Sequence, residues 1–345
     1  MQIEVIAPNL KRRLSGVTAT IVRLLPVQAR KIGIVATGPG LPPGLPHLPL
    51  WRLAFLKRDR WRVWHARRNS EMLLGLVLRH LLRRRLRLLF TSASQRRHTG
   101  YTRWLIRQMD ALVATSQRTA GYLHHPATVV LHGIDTETFR PAEDRPALRR
   151  RLGLPEEAVL IGCYGRIRDQ KGTGDFVTAM QALLPDHPQA VALVMGRATA
   201  SHQAYAEGLQ GQVAEAGLQD RIRFLPEVPV DSMPDWYRVL DLYVAPQRWE
   251  GFGLTPLEAM ACGVPVLATR VGAFEELVVP GVTGDLVEPG SPAVLMEAAA
   301  RLLADPGLKT TLPAAARAHV CASFRIEDEA AALIAVYRRL LDTAE

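Results

Sequence analysis

The chain has 345 residues, of which 48% are hydrophobic, and this is enough for two domains with separate cores. Its charge is uneven: residues 1–140 hold 24 Lys and Arg against 6 Asp and Glu, a net charge of +18, whereas the remainder holds 19 against 27. No uninterrupted apolar segment approaches 20 residues, and no leader-like segment follows Met1, so we expect a cytoplasmic protein that does not span a membrane. Cys163, Cys262 and Cys321 have neither metal-ligand nor redox spacing.

Strand-length apolar runs alternate with helical patterns in the N-terminal half. The predicted strands are residues 2–7, 31–36, 62–66, 86–91, 111–115 and 128–131. The Pro- and Gly-rich residues 38–49 are predicted to form a long loop. This alternation predicts parallel sheets with helices on both faces, which is the α/β class.

Two basic segments of this half also carry aromatic or apolar side chains. Residues 51–61 read WRLAFLKRDRW, and residues 76–89 contain the run HLLRRRLR. Such segments are typical of peripheral contact with the headgroups of an anionic bilayer, and a solvated helix face is the alternative. Nucleic-acid binding is not expected, because the sequence contains no zinc finger, RRM signature or similar module.

Two further segments follow predicted strands and should lie at the carboxyl ends of those strands. They are residues 63–72, VWHARRNSEM, and residues 89–98, LFTSASQRRH. Ligands of open α/β sheets bind at the carboxyl ends of the strands, so the polar side chains of both segments are candidate site residues.

The C-terminal half shows the same alternation more clearly. Its predicted strands are residues 159–163, 190–195, 221–225, 242–245 and 264–268, and its predicted helices include residues 201–216, 233–239 and 255–262. We therefore predict an N-terminal domain of residues 1–145, a C-terminal domain of residues 146–325, and a final helix of residues 326–345 that packs back on the first domain.

A basic loop, residues 164–172 (YGRIRDQKG), follows the predicted strand 159–163 and precedes a helical pattern. Its cations therefore lie at the carboxyl end of a strand. Arg166 and Lys171 are suitably placed to neutralise a diphosphate, the arginine through its planar fork and the lysine as a point charge.

The most informative segment is residues 250–258, EGFGLTPLE, in which seven residues separate two carboxylates. Thr255 is the predicted N-cap of a helix, and Glu258 has the spacing of a capping box. Two glycines leave room for an anion near the helix N-terminus. Because Glu250 and Glu258 can accept hydrogen bonds from hydroxyl groups, the segment predicts a nucleotide-sugar site.

These motifs resemble those of the retaining glycosyltransferases of family 4. Residues 250–258 match the E-x7-E signature and residues 165–172 the GR…KG element. Residues 132–141, HGIDTETFRP, are similar to NGVDxxxFxP, with His132 in place of Asn. Ser15-Gly16 stands where the family usually has two glycines that close over the donor phosphates. The resemblance implies the GT-B fold, with two Rossmann-like domains, parallel sheets and an interdomain cleft.

The resemblance also implies the roles of the site residues. Arg166 and Lys171 would neutralise the departing diphosphate, Glu250 would bind the donor sugar, and Glu258 would bind the ribose. The implied donor-binding residues are Gly16, Gly165, Gly196, Val228, Phe252, Gly253, Leu254, Thr255 and Glu258. No metal or other cofactor is expected.

A catalytic histidine is less clearly implied. Many family members have a histidine after the fourth strand, near the reacting sugar, where this chain has Phe90 or Thr91. His65, His98 or no residue would then take that role.

The segments 63–72, 89–98 and 132–135 resemble in particular the lipopolysaccharide core mannosyltransferases of alphaproteobacteria, which transfer mannose from GDP-mannose to an inner Kdo residue. The acceptor's carboxylate and phosphates would suit the basic N-terminal half. The implied acceptor-binding residues are Arg67, Arg68, Asn69, Gln95, Arg96 and Arg97. The partners expected are a nucleotide-sugar, an anionic glycolipid and, through peripheral contact, the inner membrane.

The sequence is compatible with three alternatives. The chain could use a UDP-sugar on another acceptor, because the segments expected to bind the base, around Gly196 and residues 226–229, act through their backbone. It could be a GT-B nucleotide-sugar epimerase, although an epimerase has no need of so basic a domain. It could also be a non-catalytic glycan-binding relative, but the four charged residues of the motifs are intact.

Overall fold

The computed structural model describes residues 2–12 and 16–343, which form two compact units. Unit 1 comprises Met1–Gly133 with Ile326–Glu345, and unit 2 comprises Ile134–Arg325. The first boundary precedes the expected position at residue 145. Its position agrees with the backbone pairing, because the N–H of Ile134 donates to the carbonyl oxygen of Phe324 at 2.8 Å inside unit 2.

Unit 1 contains a six-stranded parallel sheet of order β2-β1-β3-β4-β5-β6. Its strands are β1 (Val5–Pro8), β2 (Ile34–Thr37), β3 (Arg62–Ala66), β4 (Leu86–Ser92), β5 (Ala111–Ala114) and β6 (Thr128–Val129). The helices among them are α1 (Gly16–Ala29), α2 (Asn69–Leu76), α3 (Gly100–Ile106) and α4 (Gln117–Gly121). A 3-10 helix spans Leu50–Phe55, and a π-helical turn spans Val77–Leu81.

Unit 2 contains a second six-stranded parallel sheet, of order β12-β11-β10-β7-β8-β9. Its strands are β7 (Val159–Tyr164), β8 (Ala190–Met195), β9 (Ile222–Leu225), β10 (Leu242–Ala245), β11 (Val266–Thr269) and β12 (Gly284–Val287). Its helices are α5 (Arg145–Arg151), α6 (Thr173–Leu183), α7 (Gln203–Glu215), α8 (Met233–Arg238), α9 (Thr255–Ala261), α10 (Phe274–Leu277), α11 (Pro292–Ala304) and α12 (Leu312–Ser323). β7, β8 and β10 are buried throughout, as parallel strands covered on both faces must be.

The last helix, α13 (Ile326–Asp342), belongs to unit 1. Its apolar side chains, among them Leu333 and Tyr337, share a core cluster with residues of β1, α1 and β2. Its N-terminal turn also fixes the end of the first unit, because Glu329 accepts hydrogen bonds from His132 Nδ1 at 2.6 Å and from the N–H of Gly133 at 2.8 Å.

Strand order fixes where each unit can bind a ligand. In unit 2 the chain runs from β7 through β8 to β9 and then returns to β10 on the other side of β7, so the order reverses between β7 and β10. In unit 1 the reversal lies between β1 and β3. Ligands of open α/β sheets bind outside the carboxyl ends of the strands at such reversals. Within the described ranges, no helix combines the length and apolar character that crossing a bilayer requires.

Candidate functional site

The loops after β7 and β8 approach each other closely at the carboxyl edge of unit 2. Tyr164 and Met195, the last residues of the two strands, are register partners, so both loops begin at the same level. Gly196 has a φ of +145°, and a Cβ there would lie 1.8 Å from the carbonyl oxygen of Gly165. Only glycine permits this approach.

A cavity of about 250 Å³ lies beside these loops. It is lined by the last residues of β7 and β8, by residues that follow β7, β8 and β9, and by side chains of α8 and α9: Tyr164, Gly165, Arg166, Met195, Gly196, Arg197, Glu227, Val228, Val230, Met233, Tyr237, Thr255 and Glu258. The lining includes five of the predicted donor-binding residues and Arg166. We refer to it as the donor cavity.

The helix of the E-x7-E segment does not begin as the sequence predicts. Leu254, with φ −83° and ψ −22°, already has helical dihedral angles and is the N-cap, without a side-chain capping bond. The predicted capping box of Thr255 and Glu258 is therefore wrong, because both residues lie inside α9. The N-terminus of α9 offers an anion at most about half a unit of positive charge, so most of the positive charge in this region comes from cationic side chains.

Glu258 is oriented by a tyrosine that the sequence analysis did not identify. The Tyr237 hydroxyl, on α8, donates to Glu258 Oε2 at 2.7 Å. Tyr237 is fully buried, and burial, with the nearby Glu258 carboxylate, raises its pKa well above the usual value of 10, so it remains a donor. Its position in a short helical pattern gave no chemical signal.

Lys171 and Glu250 are in direct contact although 79 residues separate them. Their side chains are only 22% and 17% exposed, and the other oxygen of Glu250 accepts the N–H of Gly251 at 2.9 Å. The loops after β7 and β10 thus bring a cation and a carboxylate together at the strand-order reversal. Phe252, Gly253 and Leu254 continue the second loop towards α9.

Arg166 differs from Lys171 in having an exposed side chain. It lines the donor cavity, and no carboxylate among the residues that the structure describes forms an ion pair with it. Its guanidinium group is therefore available to an anion in the cavity, whereas that of Arg197 at the same cavity pairs with Glu227 at 3.3 Å.

The predicted acceptor residues of unit 1 fall into two groups. Arg67, Arg68 and Asn69 follow β3, whereas Gln95, Arg96 and Arg97 follow β4. The first group is partly buried, and Asn69 donates to Thr102 at 2.8 Å. In the second group Gln95 is buried while both arginines are exposed.

Arg68 takes part in a buried network at the strand-order reversal of unit 1. Its Nη1 donates to Glu71 at 2.7 Å and to Asn9 at 3.0 Å, while Glu71 also accepts the N–H of Arg67 at 2.8 Å. Glu71 is fully buried, so Arg68 neutralises a carboxylate of its own unit. Nearby, Gly16 is the first residue of α1, and Ser15 lies outside the described residues.

His65 is buried, and both of its ring nitrogens have partners. Nδ1 lies 2.7 Å from the hydroxyl of Tyr337, and Nε2 lies 2.6 Å from that of Thr91. Burial, and secondarily the charge of Arg67, holds its pKa well below the usual 6.5. His98 is partly buried, and its Nε2 has no hydrogen-bond partner in the described structure. Burial, with His124 nearby, lowers the pKa of His98. A catalytic role for either histidine remains a prediction.

A second cavity of about 310 Å³ lies at the opposite, amino-terminal edge of the unit 2 sheet, next to Leu240 and Val264. Arg145, Arg238 and Arg317 line it. Arg238 and Arg317 donate mainly to carbonyl oxygens of residues 136–140, and Arg145 pairs with Asp241 at 3.2 Å. These arginines therefore hold a chain segment in place, and the carboxyl-edge cavity is the better candidate site.

Comparisons with known proteins show which family the chain belongs to. Residues 144–319, within unit 2, match the family model described as "Glycosyl transferases group 1". The chain is 53% identical over 347 residues to the lipopolysaccharide core biosynthesis mannosyltransferase LpsB of Rhizobium meliloti (strain 1021), covering 98% of both chains. It is also 53% identical over 346 residues to LpcC of Rhizobium leguminosarum bv. viciae, which has the same description, covering 98% of this chain and 97% of that protein.

Solved structures confirm the predicted α/β fold of GT-B type. Alr3699/HepE of Anabaena in complex with UDP superimposes with a TM-score of 0.85 at 18% identity, over 98% of this chain and all of that chain. The C-terminal domain of a group 1 glycosyl transferase, LpcC, from Francisella tularensis matches 56% of this chain and 100% of its own length, with 35% identity and a TM-score of 0.54.

Proposed function

Since the chain belongs to the glycosyl transferases group 1 family, we propose that it transfers mannose from GDP-mannose, with retention of configuration, to a Kdo residue of the lipopolysaccharide inner core. Identity of 53% over nearly the whole chain to two core mannosyltransferases is the observation that carries this proposal. The donor cavity, with Arg166 and Glu258 in its lining, supports nucleotide-sugar binding by unit 2.

The proposed reaction needs no protein nucleophile. The bond between the sugar C1 and the diphosphate oxygen breaks, and a bond from C1 to the acceptor oxygen forms on the same face. The acceptor hydroxyl proton passes to the departing phosphate oxygen. Arg166 and Lys171 stabilise the negative charge that develops on that diphosphate. Glu250 binds hydroxyls of the donor sugar, and Glu258, oriented by Tyr237, binds the ribose. No step requires a metal ion.

In this proposal unit 1 binds the acceptor. Arg96 and Arg97 are the better candidates for contact with its carboxylate and phosphates, because they are exposed, whereas Arg68 neutralises the buried Glu71. Double charge reversal, Arg96→Glu with Arg97→Glu, should raise the KM for the acceptor while the affinity for the nucleotide persists. An unchanged acceptor KM would remove both arginines from the acceptor site.

An aromatic and basic surface of unit 1 supports peripheral contact with an anionic membrane. Trp51, Phe55 and Leu81 are 64%, 74% and 75% exposed. The two segments that carry them adjoin, because Arg58 donates to the carbonyl oxygen of Leu82 at 3.2 Å. Exposed aromatic side chains beside clustered cations are typical of proteins that lie on bilayer headgroups. We refer to residues 50–58 and 81–85 as the membrane surface.

Liposome sedimentation tests this contact. Lys57, Arg83 and Arg85 are the cleanest positions, since all three are exposed, whereas Arg84 supports the backbone by donating to Leu56. Replacing all three by Gln should weaken binding to anionic vesicles roughly 100-fold at low salt, at about 1 kcal/mol per cation. A triple Gln variant of Arg223, Arg301 and Lys309 has the same charge change in unit 2 and serves as the control. Equal binding by both variants would leave only a solvated basic face.

The UDP-sugar alternative is tested together with the proposal. Purified protein is incubated with labelled GDP-mannose or UDP-glucose and with lipid A precursors that carry or lack Kdo. We expect transfer only from GDP-mannose and only to the Kdo-bearing acceptor, and NMR of the product should show a retained anomeric configuration. Thermal-shift measurements should show a larger rise in Tm with GDP than with UDP or ADP. Preferential UDP-glucose transfer would refute the donor assignment, and interconversion of the sugar without an acceptor would favour an epimerase.

A further inference from the structure

The two loops that carry Lys171 and Glu250 are in direct backbone contact. Gly172, which ends the first loop, has a φ of +68°, and a Cβ there would lie 1.8 Å from the carbonyl oxygen of Pro246 in the second. The N–H of Arg248 also donates to the carbonyl oxygen of Gln170 at 3.1 Å. The relative position of the loops is therefore set by close packing rather than by the Lys171–Glu250 contact alone.

The side chain of Arg248 joins the same two loops. Its Nε and Nη2 donate to the two carboxylate oxygens of Asp175 at 2.8 and 2.7 Å, and its Nη1 donates to Asp169 at 2.8 Å. Asp175 lies in the first turn of α6 with a side chain only 5% exposed, so it is fixed to the core of unit 2. Such a bidentate pair fixes geometry as well as distance. Asp169 is 67% exposed and contributes less.

Arg248 and Asp169 lie close in sequence to Glu250 and Lys171, the two residues of this region that are proposed to act in transfer. Asp169 and Lys171 are the first and last residues of one 3-10 turn, and Arg248 precedes Glu250 by two residues. All three guanidinium nitrogens of Arg248 donate to carboxylates of its own unit. The donor-cavity lining includes neither Arg248 nor Asp175.

We propose that Arg248, held by Asp175, is a positioning residue that fixes Lys171 and Glu250 in the geometry required for sugar transfer. This inference rests on the proposed transfer reaction. If Arg248 has this role, nucleoside binding depends on the donor cavity, whereas turnover depends also on the Arg248–Asp175 pair. The pair should therefore affect kcat more than donor KM.

The test uses Arg248→Lys, which keeps the charge but loses the planar fork, and Asp175→Asn, which keeps the shape but loses the charge. Because a misplacement of about 1 Å can cost about 100-fold in rate, kcat should fall about 10- to 100-fold in each variant. The dissociation constant of GMP, the nucleoside monophosphate of the proposed donor, should stay near the wild-type value. In a Lys171→Met background, Arg248→Lys should reduce kcat little further, because both changes affect the same interaction.

Arg149→Lys is the matched control. Arg149 pairs with Asp241 at 2.7 Å immediately before the same strand β10, at the opposite edge of the sheet, and both side chains are buried. This variant should lower Tm but leave the kcat of the folded enzyme unchanged. Wild-type kcat in Arg248→Lys, or rate losses that follow Tm equally in both arginine variants, would overturn the inference. Rates are compared with the donor that the wild-type enzyme uses, so failure with GDP-mannose would refute the proposed function instead.

Discussion

Arg166→Ala gives the sharpest test of the proposed chemistry. Because Arg166 is exposed and pairs with no carboxylate among the described residues, its removal leaves no buried group unpaired. The free energy of unfolding should therefore change by no more than about 0.5 kcal/mol. Lys171→Ala, in contrast, leaves Glu250 without its cationic partner. This variant should therefore change both the stability of the protein and its binding of the donor sugar.

The expected loss in rate follows from the charge that Arg166 would face. A unit charge pair about 5 Å apart at an effective dielectric constant of about 20 is worth about 3 kcal/mol. This agrees with the roughly 100- to 1000-fold loss of kcat that removal of one preorganised stabiliser typically causes. Arg166→Lys keeps the charge without the fork, so its loss should be smaller.

Steady-state rates of transfer from labelled donor, with Tm measured on the same preparations, distinguish a loss of catalysis from a loss of stability. Arg223→Ala is the control, since Arg223 lies on β9 outside the donor-cavity lining and donates to the carbonyl oxygen of Asp220. It should retain wild-type kcat. Near wild-type turnover in Arg166→Ala, or the same loss in both variants, would show that Arg166 does not stabilise the leaving diphosphate.

Three further variants test other parts of the structure. Tyr237→Phe should raise the dissociation constant of the nucleotide up to about tenfold, because Glu258 loses a hydrogen bond worth about 1.5 kcal/mol; unchanged calorimetric affinity would contradict this role. Arg68→Ala should lower stability by about 3–5 kcal/mol in denaturant titrations, because Glu71 remains buried without its cation, and a loss below 1 kcal/mol would refute that pairing. Because the pKa of His65 is depressed on folding, the free energy of unfolding should fall as pH drops below the unfolded-state pKa of about 6.5, by up to about 1.4 kcal/mol per pH unit. His65→Gln should flatten this pH dependence, and an unaltered slope would exclude His65 as its source.

The sequence predicted the fold and the edge of the unit 2 sheet at which the motif loops lie, because both depend on local patterns. Apolar runs of β7 and β8 mark buried parallel strands, and their loops must then lie at one edge of the sheet. β12 was missed because Gly284–Val287 has only four residues, including a glycine and an aspartate, and lies at the edge of the sheet.

Contacts between distant elements could not be predicted in the same way. The Tyr237–Glu258 hydrogen bond joins two helices, and the Arg248–Asp175 pair joins the loop after β10 to a residue of α6 that lies 73 positions away, so neither contact produces periodicity or a motif. The capping box failed for a related reason: Leu254 continues the helical conformation before Thr255, whatever the cap preference of threonine. The Arg68–Glu71 pair, in contrast, had the i,i+3 spacing of a helical ion pair and could have been recognised.

The positive charge of unit 1 affects both direct contacts with an acceptor and the electrostatic field at a distance. Several of its arginines donate to backbone carbonyl oxygens, as Arg84 does to that of Leu56 and Arg87 to that of Thr343 at 2.9 Å. These arginines have fewer donors left for direct contact with an acceptor, yet a carbonyl group does not cancel their charge. Unit 1 holds 25 Lys and Arg against 9 Asp and Glu, and its long-range field therefore exceeds what its exposed arginines alone would produce. Association with an anionic acceptor or bilayer should consequently depend more steeply on salt than the number of contacting residues implies.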